Sequence, residues 1–393
     1  MDSGNAAWLL MASAMVLFMT PGLAFFYGGM VRSKNVLNML MKNFFTIALI
    51  TPLWVIGGYS LAFGESSGGL IGDFSHFMFR DLAGDDLLFA MFQMTFAIIT
   101  PALITGAVAE RLKFSAYAWF ASIWSLVVYS PVAHWVWNAD GWIYKYGALD
   151  FAGGLVVHIN AGVAALALVL VLGPRLGFGR DAIRPHSLPL TLLGTGILWF
   201  GWFGFNAGSA LAANEQAVTA MVATQIGASL GALGWVAAEW KKTGYPTTLG
   251  AASGAVAGLV AITPAAGFVT PGGAMAIGAI AGVVCFWAVG LKARFGYDDS
   301  LDVVGVHLVG GIIGSLLVGL FASAGGGLFY GGGISLLVKQ LVVTVAVLVF
   351  SFVMSYLLAR ILDKTMGLRV EERQEVEGLD ITLHEERGYI LNE

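Results

Sequence analysis

Apolar stretches of about twenty residues, the length a helix needs to cross roughly 30 Å of hydrocarbon, alternate along the chain with short polar or Gly/Pro-rich breaks. Cutting at the breaks predicts eleven helices near residues 6–31, 43–63, 87–109, 115–135, 151–173, 187–209, 216–240, 248–264, 273–292, 302–323 and 334–362. A membrane β-barrel would instead show alternating segments of ~10 residues, so the continuous runs exclude it. The expected fold class is an all-α polytopic membrane protein.

Composition agrees: 58% of residues are hydrophobic and 11% charged, against about 25% charged in a soluble domain. The net charge of -4 says less than where the basic residues fall. One set of loops holds Arg32, Lys34, Lys42, Arg111, Lys113, Arg175, Arg180, Arg184, Lys241, Lys242, Lys292 and Arg294, and the opposite loops hold Arg80 and Lys145. The positive-inside rule then predicts an N-terminus outside and a C-terminus in the cytoplasm. Trp135, Trp137, Trp142 and Tyr144 suit an interfacial aromatic belt. The acid in MDSGNAAWLL argues against a cleaved leader and for the start of the first span. Glycines such as Gly227, Gly231 and Gly234, or Gly310, Gly311 and Gly314, predict close helix packing.

Candidate chemistry sits on the fifth and tenth predicted helices. LDFAGGLVVHINAG places Asp150 ahead of His158, and LDVVGVHLVGG places Asp302 ahead of His307. Five helices is an odd number, so a second five-helix unit is inverted relative to the first. The expectation is an inverted 5+5 repeat plus one C-terminal helix. At 1.5 Å per residue, His158 falls roughly 10 to 12 Å below one boundary and His307 roughly 8 to 10 Å above the other, so the two flank the midplane. Ionisable residues inside a span usually face a cavity and mark a pathway, the bland alternative being a satisfied interhelical hydrogen bond. Asp150 and Asp302 each sit where a helix begins, so N-capping explains them as well as charge handling does. Two histidines are too few ligands for zinc, and neither HExxH nor GxxxxGK[ST] occurs. Nothing argues for an enzyme, a cofactor or nucleic acid. The lone Cys285 excludes an intramolecular disulfide.

The stretches FQMTFAIITPALITGAVAERLKFS (92–115), DFAGGLVVHINAG (150–162), GWFGFNAGSAL (201–211) and DVVGVH (302–307) resemble the Amt/Mep/Rh ammonium transporter family, on its prokaryotic Amt side. The likeness runs from FFYGGMVRSKN (25–35) to EGLD (377–380). It implies an ammonium recruitment site at Trp137, Ser209 and Phe96, with Phe92 as further lining, and a gate of Phe96 over Phe205. It further implies a pore lined by His158, His307 and Trp202, and structural or electrostatic acids at Asp150 and Asp302. Residues 1–365 would form the eleven-helix bundle and 366–393 a cytosolic regulatory tail. Ammonium/ammonia, with methylammonium as analogue, would be the substrate of a homotrimer in the cytoplasmic (inner) membrane lipid bilayer, open to a PII-type signal protein at its cytosolic face. The loop NADGWIYKYGALD departs from the family's Gly-rich habit, and altered access to the recruitment site is expected there.

Taken singly, these residues have plainer readings. Phe92 and Phe96 at i,i+4 are ordinary helix packing, Trp137 a belt residue, and Ser209 a helix cap or back-bonding hydroxyl. Only their joint match to the family pattern points to a site. An ammonium sensor of the same fold, signalling through its C-terminal region, is the alternative to a transporter; an Rh-like gas channel fits the Trp137/Ser209 pair least.

Overall fold

The computed structural model describes residues 1–389, so the last four residues of the tail expected over 366–393 lie outside the described residues. The body consists of α1 (Ser3–Met30), α2 (Ser33–Phe63), α3 (Asp85–Ile104), α4 (Phe114–Tyr146), α5 (Gly154–Leu172), α6 (Leu188–Gly208), α7 (Glu215–Thr243), α8 (Thr248–Ile262), α9 (Pro271–Phe295), α10 (Val304–Phe321) and α11 (Ser335–Met366). Among the described residues ten of these are long and apolar enough to cross a membrane. The exception is α8: its 15 residues rise about 22 Å, and the chain continues as a turn over 263–268. The all-helical expectation also misses a small hairpin, β1 (Ser66–Ser67) against β2 (Ile71–Gly72).

α5 and α10 run antiparallel through the middle of the bundle. The end of α5 meets the tail face, where Arg111 Nε donates to the Gly173 carbonyl at 2.8 Å. The approach to α10 starts from that same face, where the Ser300 amide donates to the Ala107 carbonyl at 3.1 Å. Both helices open with a π-turn, Gly154–Ile159 and Val304–Leu308, and each π-turn carries one of the two singled-out histidines. Such widened turns inside helices are rare and concentrate at functional sites.

Small residues let the remaining helices close on this pair. A Cβ at Gly231 would lie 2.6 Å from the Gly258 Cα, and one at Gly278 2.5 Å from the Gly227 carbonyl. The expected packing role of the α7 glycines is therefore a backbone-to-backbone approach between α7, α8 and α9.

Two basic residues assigned above to loops are buried. Lys42 lies within α2, 1% exposed, and donates to the Leu112 carbonyl at 2.8 Å. Arg111 is fully buried and donates to the Asp298 carbonyl at 2.5 Å and to Ser300 Oγ at 2.6 Å. The chain after α3 runs as irregular turns over 105–112, and its free carbonyls need donors, so cations fold inward there. Trp135 is likewise core, its indole N–H donating to the Leu70 carbonyl at 2.7 Å, and not a belt residue.

The tail is docked. Residues 368–370 pair with 111–113 (Lys113 amide to Leu368 carbonyl 2.9 Å, Val370 amide to Arg111 carbonyl 3.0 Å). Two short helices follow, α12 (Glu372–Glu377) and α13 (Leu379–His384). Glu375 accepts from the Leu176 amide at 2.6 Å, and Asp380 from the Leu37 and Asn38 amides at 3.0 and 2.8 Å.

Beneath the tail lies a buried ionic lattice. Arg32 Nε donates to Glu110 at 2.9 Å, Arg175 reaches Glu110 at 3.5 Å, and Arg175 clamps Asp298 through two contacts of 2.8 Å. Burial alone would raise the Glu110 carboxyl, but Arg32 and Arg175 hold it below its ordinary range. Asp298 is held down against burial in the same way, by Arg175 and Arg111. A carboxylate with a depressed folded pKa contributes stability above its unfolded pKa, near ~4, and loses it as pH falls through the folded value. The thermal unfolding midpoint of the detergent-solubilised protein should therefore be flat above about pH 5 and drop below about pH 4. A midpoint unmoved down to about pH 3 would contradict this lattice.

Candidate functional site

The site begins as a cup on the face opposite the tail, about 160 Å³ in volume, lined by Phe89, Gln93, Phe96, Trp137, Phe151, Ser209 and Leu211. Phe89, Gln93 and Phe96 form the i, i+4, i+7 stripe of α3 that points one way. Trp137 ends the long helical run of α4, which breaks at 138–141 before a last short turn over Trp142–Tyr146, and its indole N–H donates to the Asp150 carbonyl at 3.1 Å. Its ring stands edge-on to Phe96 with centroids 5.7 Å apart. Ser209 follows α6 and donates its hydroxyl to the Phe205 carbonyl at 2.8 Å, which leaves both oxygen lone pairs free to accept.

Below the cup the rings form a column. Phe96 and Phe205 lie 4.3 Å apart at 32°, Phe205 and His158 6.1 Å apart at 27°, and His158 and His307 5.4 Å apart at 24°. Trp202 stacks alongside His158 at 5.5 Å, held by an indole N–H donated to Thr263 Oγ1 at 2.9 Å. The two imidazoles approach Nδ1 to Nδ1 at 3.3 Å. One neutral ring must donate this bond and the other accept it, so the pair presents one Nε2 as acceptor and the other as donor. His158 Nε2 is buried and has no partner. The pair lines a cavity of about 10 Å³ whose other walls include Met19, Leu23, Ile99, Leu103 and Val157, about the space of one water-sized molecule.

The expected site residues thus meet, with three differences. Phe92 is fully buried behind Phe96, ring to ring at 5.0 Å, and does not line the cup. Phe89, Gln93, Phe151 and Leu211 do; the i, i+4, i+7 stripe of α3 was readable, but Phe92 was named from the family resemblance instead. Asp150 accepts the backbone N–H groups of Gly153, Gly154, Leu155 and Val156 at 2.6 to 3.2 Å, so it caps the π-turn that carries His158. Asp302 does not cap α10. It lies at φ 64° and its carboxylate binds Lys292 at 2.6 Å; the acid that accepts from Val303 and Val304, at 3.1 and 2.7 Å, is Asp299. The departing loop over 138–146 packs away from the cup, with Ile143 buried and the Trp142 amide donating to the Gly69 carbonyl at 3.1 Å.

Sequence reading named Gly311 as a packing glycine but missed Gly162 and the match between the two. Gly162 and Gly311 each follow a histidine by four residues. A Cβ on Gly162 would sit 2.5 Å from the Leu308 nitrogen, next to His307, and one on Gly311 3.2 Å from the His158 Cβ. Each helix therefore makes room for the other's histidine turn, and the signal was His-x-x-x-Gly in both halves.

The sequence profile of the Ammonium Transporter Family matches residues 7–389. An "Ammonium transporter" of Mycobacterium tuberculosis H37Rv is 49% identical over 99% of this chain and 90% of its own length. "Ammonium transporter Amt1" of Archaeoglobus fulgidus is 46% identical over 99% of this chain and 100% of its own. Among solved structures, "Sensor Amt Protein" superposes with a TM-score of 0.92 at 32% identity, covering 97% of this chain and 98% of that one. Mep2 of Saccharomyces cerevisiae gives 0.87 at 37% identity, covering 94% and 88%.

Proposed function

The chain belongs to the ammonium transporter family, and from that premise we propose that it recruits ammonium in the cup, strips it of a proton and passes neutral ammonia between His158 and His307. The observation that carries this reading is the ring column ending in an imidazole pair over a cavity of about 10 Å³. Ammonium and potassium have equal charge and similar size, so a hole of fixed diameter separates them poorly. An aromatic face stabilises either ion by about 0.5 to 2 kcal/mol. The Ser209 lone pairs favour ammonium, which alone can donate a hydrogen bond.

The apolar conduit then imposes a desolvation penalty of several kcal/mol on any intact cation. Potassium has no way round it, whereas ammonium can give its proton back to the water of the cup and go on as ammonia. Ammonia then finds one imidazole acceptor and one donor at the narrowest point. Two neutral rings are polar enough to solvate it and carry no charge to trap it.

In this reading the protein is a multi-pass protein of the cytoplasmic membrane with the cup outside and the docked tail inside, as the basic-loop bias requires. Residues 1–365 conduct, and the tail after α11 acts as the regulatory segment through its contacts at Leu112 and Leu176. The homotrimer and the PII-type partner rest on family membership.

The test is a solid-supported-membrane measurement on purified protein with ammonium and potassium pulses, paired with uptake into proteoliposomes. Ammonium-driven uptake with no potassium response is expected. Absent uptake with intact ammonium binding would select the sensor reading. Ser209→Ala removes one hydrogen bond worth about 1 kcal/mol, so half-saturation should rise about five- to tenfold at unchanged maximal rate. An unmoved half-saturation would take Ser209 out of the recruitment site.

A further inference from the structure

We propose that Gln340, on α11, is a positioning residue that sets the separation of His158 and His307; this rests on the reading of those two rings as the conduit. Gln340 is fully buried in a predominantly apolar helix. A buried amide there is costly unless its hydrogen bonds are made, and Gln340 makes three. Its Oε1 accepts the Leu149 amide at 2.7 Å, and its Nε2 donates to the Leu149 carbonyl at 2.8 Å and to the Ser315 carbonyl at 2.9 Å.

The two ends of this clamp are the two histidine-bearing elements. Leu149 immediately precedes Asp150, whose carboxylate gathers the amides that open the His158 π-turn. Ser315 lies in α10, two helical turns beyond His307. The elements also touch there: a Cβ on Gly154, the first residue of the His158 π-turn, would lie 2.9 Å from Ser315 Oγ. One side chain from a third helix thus fixes the start of one π-turn against the helix continuing from the other. The Trp137 indole reaches the clamped segment through the Asp150 carbonyl, but its edge-on contact with Phe96 on α3 and the Ser209 hydroxyl after α6 lie outside the clamp, so losing the clamp acts first on the conduit.

Gln340→Met has similar volume and makes none of the three bonds. Gln340→Glu, protonated in this buried setting, keeps the acceptor and one donor. Transport by purified, folded protein in proteoliposomes is the readout. Gln340→Met should lose at least about tenfold in maximal rate with half-saturation within about twofold, and Gln340→Glu should recover most of the rate. Wild-type rate in Gln340→Met, an equal loss in both variants, or a shift confined to half-saturation overturns the proposal. Should Gln340→Met not fold, Gln340→Asn, one methylene too short to span both partners, takes its place with the same expected split, and a wild-type rate again overturns it. The wild-type protein run alongside separates the two readings. If it takes up no ammonium, the conduit assignment itself fails; if it does and the variants match it, only the role of Gln340 falls.

Discussion

His158→Ala should cut ammonium uptake by about thirtyfold or more, with half-saturation little changed. On the proposed route the ring is one of two polar groups at the narrow part, and its Nε2 is buried with no protein partner. Removing it leaves ammonia with an unmatched hydrogen bond in apolar surroundings, which costs about 2 to 3 kcal/mol, and each 1.4 kcal/mol is about a factor of ten in rate. It also leaves the His307 Nδ1 without its 3.3 Å partner. The cup residues Phe96, Trp137 and Ser209 are untouched, so recruitment persists. Uptake into proteoliposomes, normalised to folded protein, measures both quantities. A wild-type maximal rate would remove His158 from the path.

The second large effect is expected at a residue with no chemistry. Gly162→Val should lower the thermal unfolding midpoint and abolish most transport. Valine brings its Cβ to 2.5 Å from the Leu308 nitrogen and 2.7 Å from its Cα, and backbone in a helix cannot swing aside as a side-chain tip can. Overpacking of this kind costs about 1 to 3 kcal/mol or more, far above the few tenths separating glycine from valine in helix propensity. Relief comes only by parting α5 from α10, which separates the imidazoles. Gly196→Val is the control, since its Cβ would meet nothing within 4 Å. Equal behaviour of the two variants would refute the argument.

What could be read from the sequence follows the range of the forces involved. Hydrophobic runs report burial in lipid directly, so most helices were placed within a few residues, the chief miss being the start of α2, set at 43 where the helical run begins at Ser33. Lys42 was thus given to a loop though it lies within α2, and the burial of both it and Arg111, which sits in the turns over 105–112, was not legible because their partners include carbonyls of distant segments. The offset of five helices from α5 to α10, an odd number, implied their opposed directions, and the similar depth of the two histidines implied that the rings could meet. Their π-turns were not legible, because they depend on Asp150 and Asp299 gathering backbone amides in three dimensions. Asp302 shows the limit well: its place in the Leu-Asp pair matched that of Asp150, yet the capping acid lies three residues earlier. Phe92 was named from the family resemblance, whereas its i,i+4 spacing to Phe96 had suggested plain helix packing, which is the role the fold gives it behind Phe96. Gln340 carried no motif at all, and only its three hydrogen bonds reveal what it joins.

The reciprocal fit of Gly162 against Leu308 and Gly311 against His158 also limits how this protein can move. Two halves joined backbone to backbone at the centre have no slack there for one to rock against the other, as carriers that expose a site to each side in turn must do. On the proposed reading, opening then falls to the Phe96 and Phe205 rings, and throughput becomes a property of local side-chain fluctuation within a rigid frame.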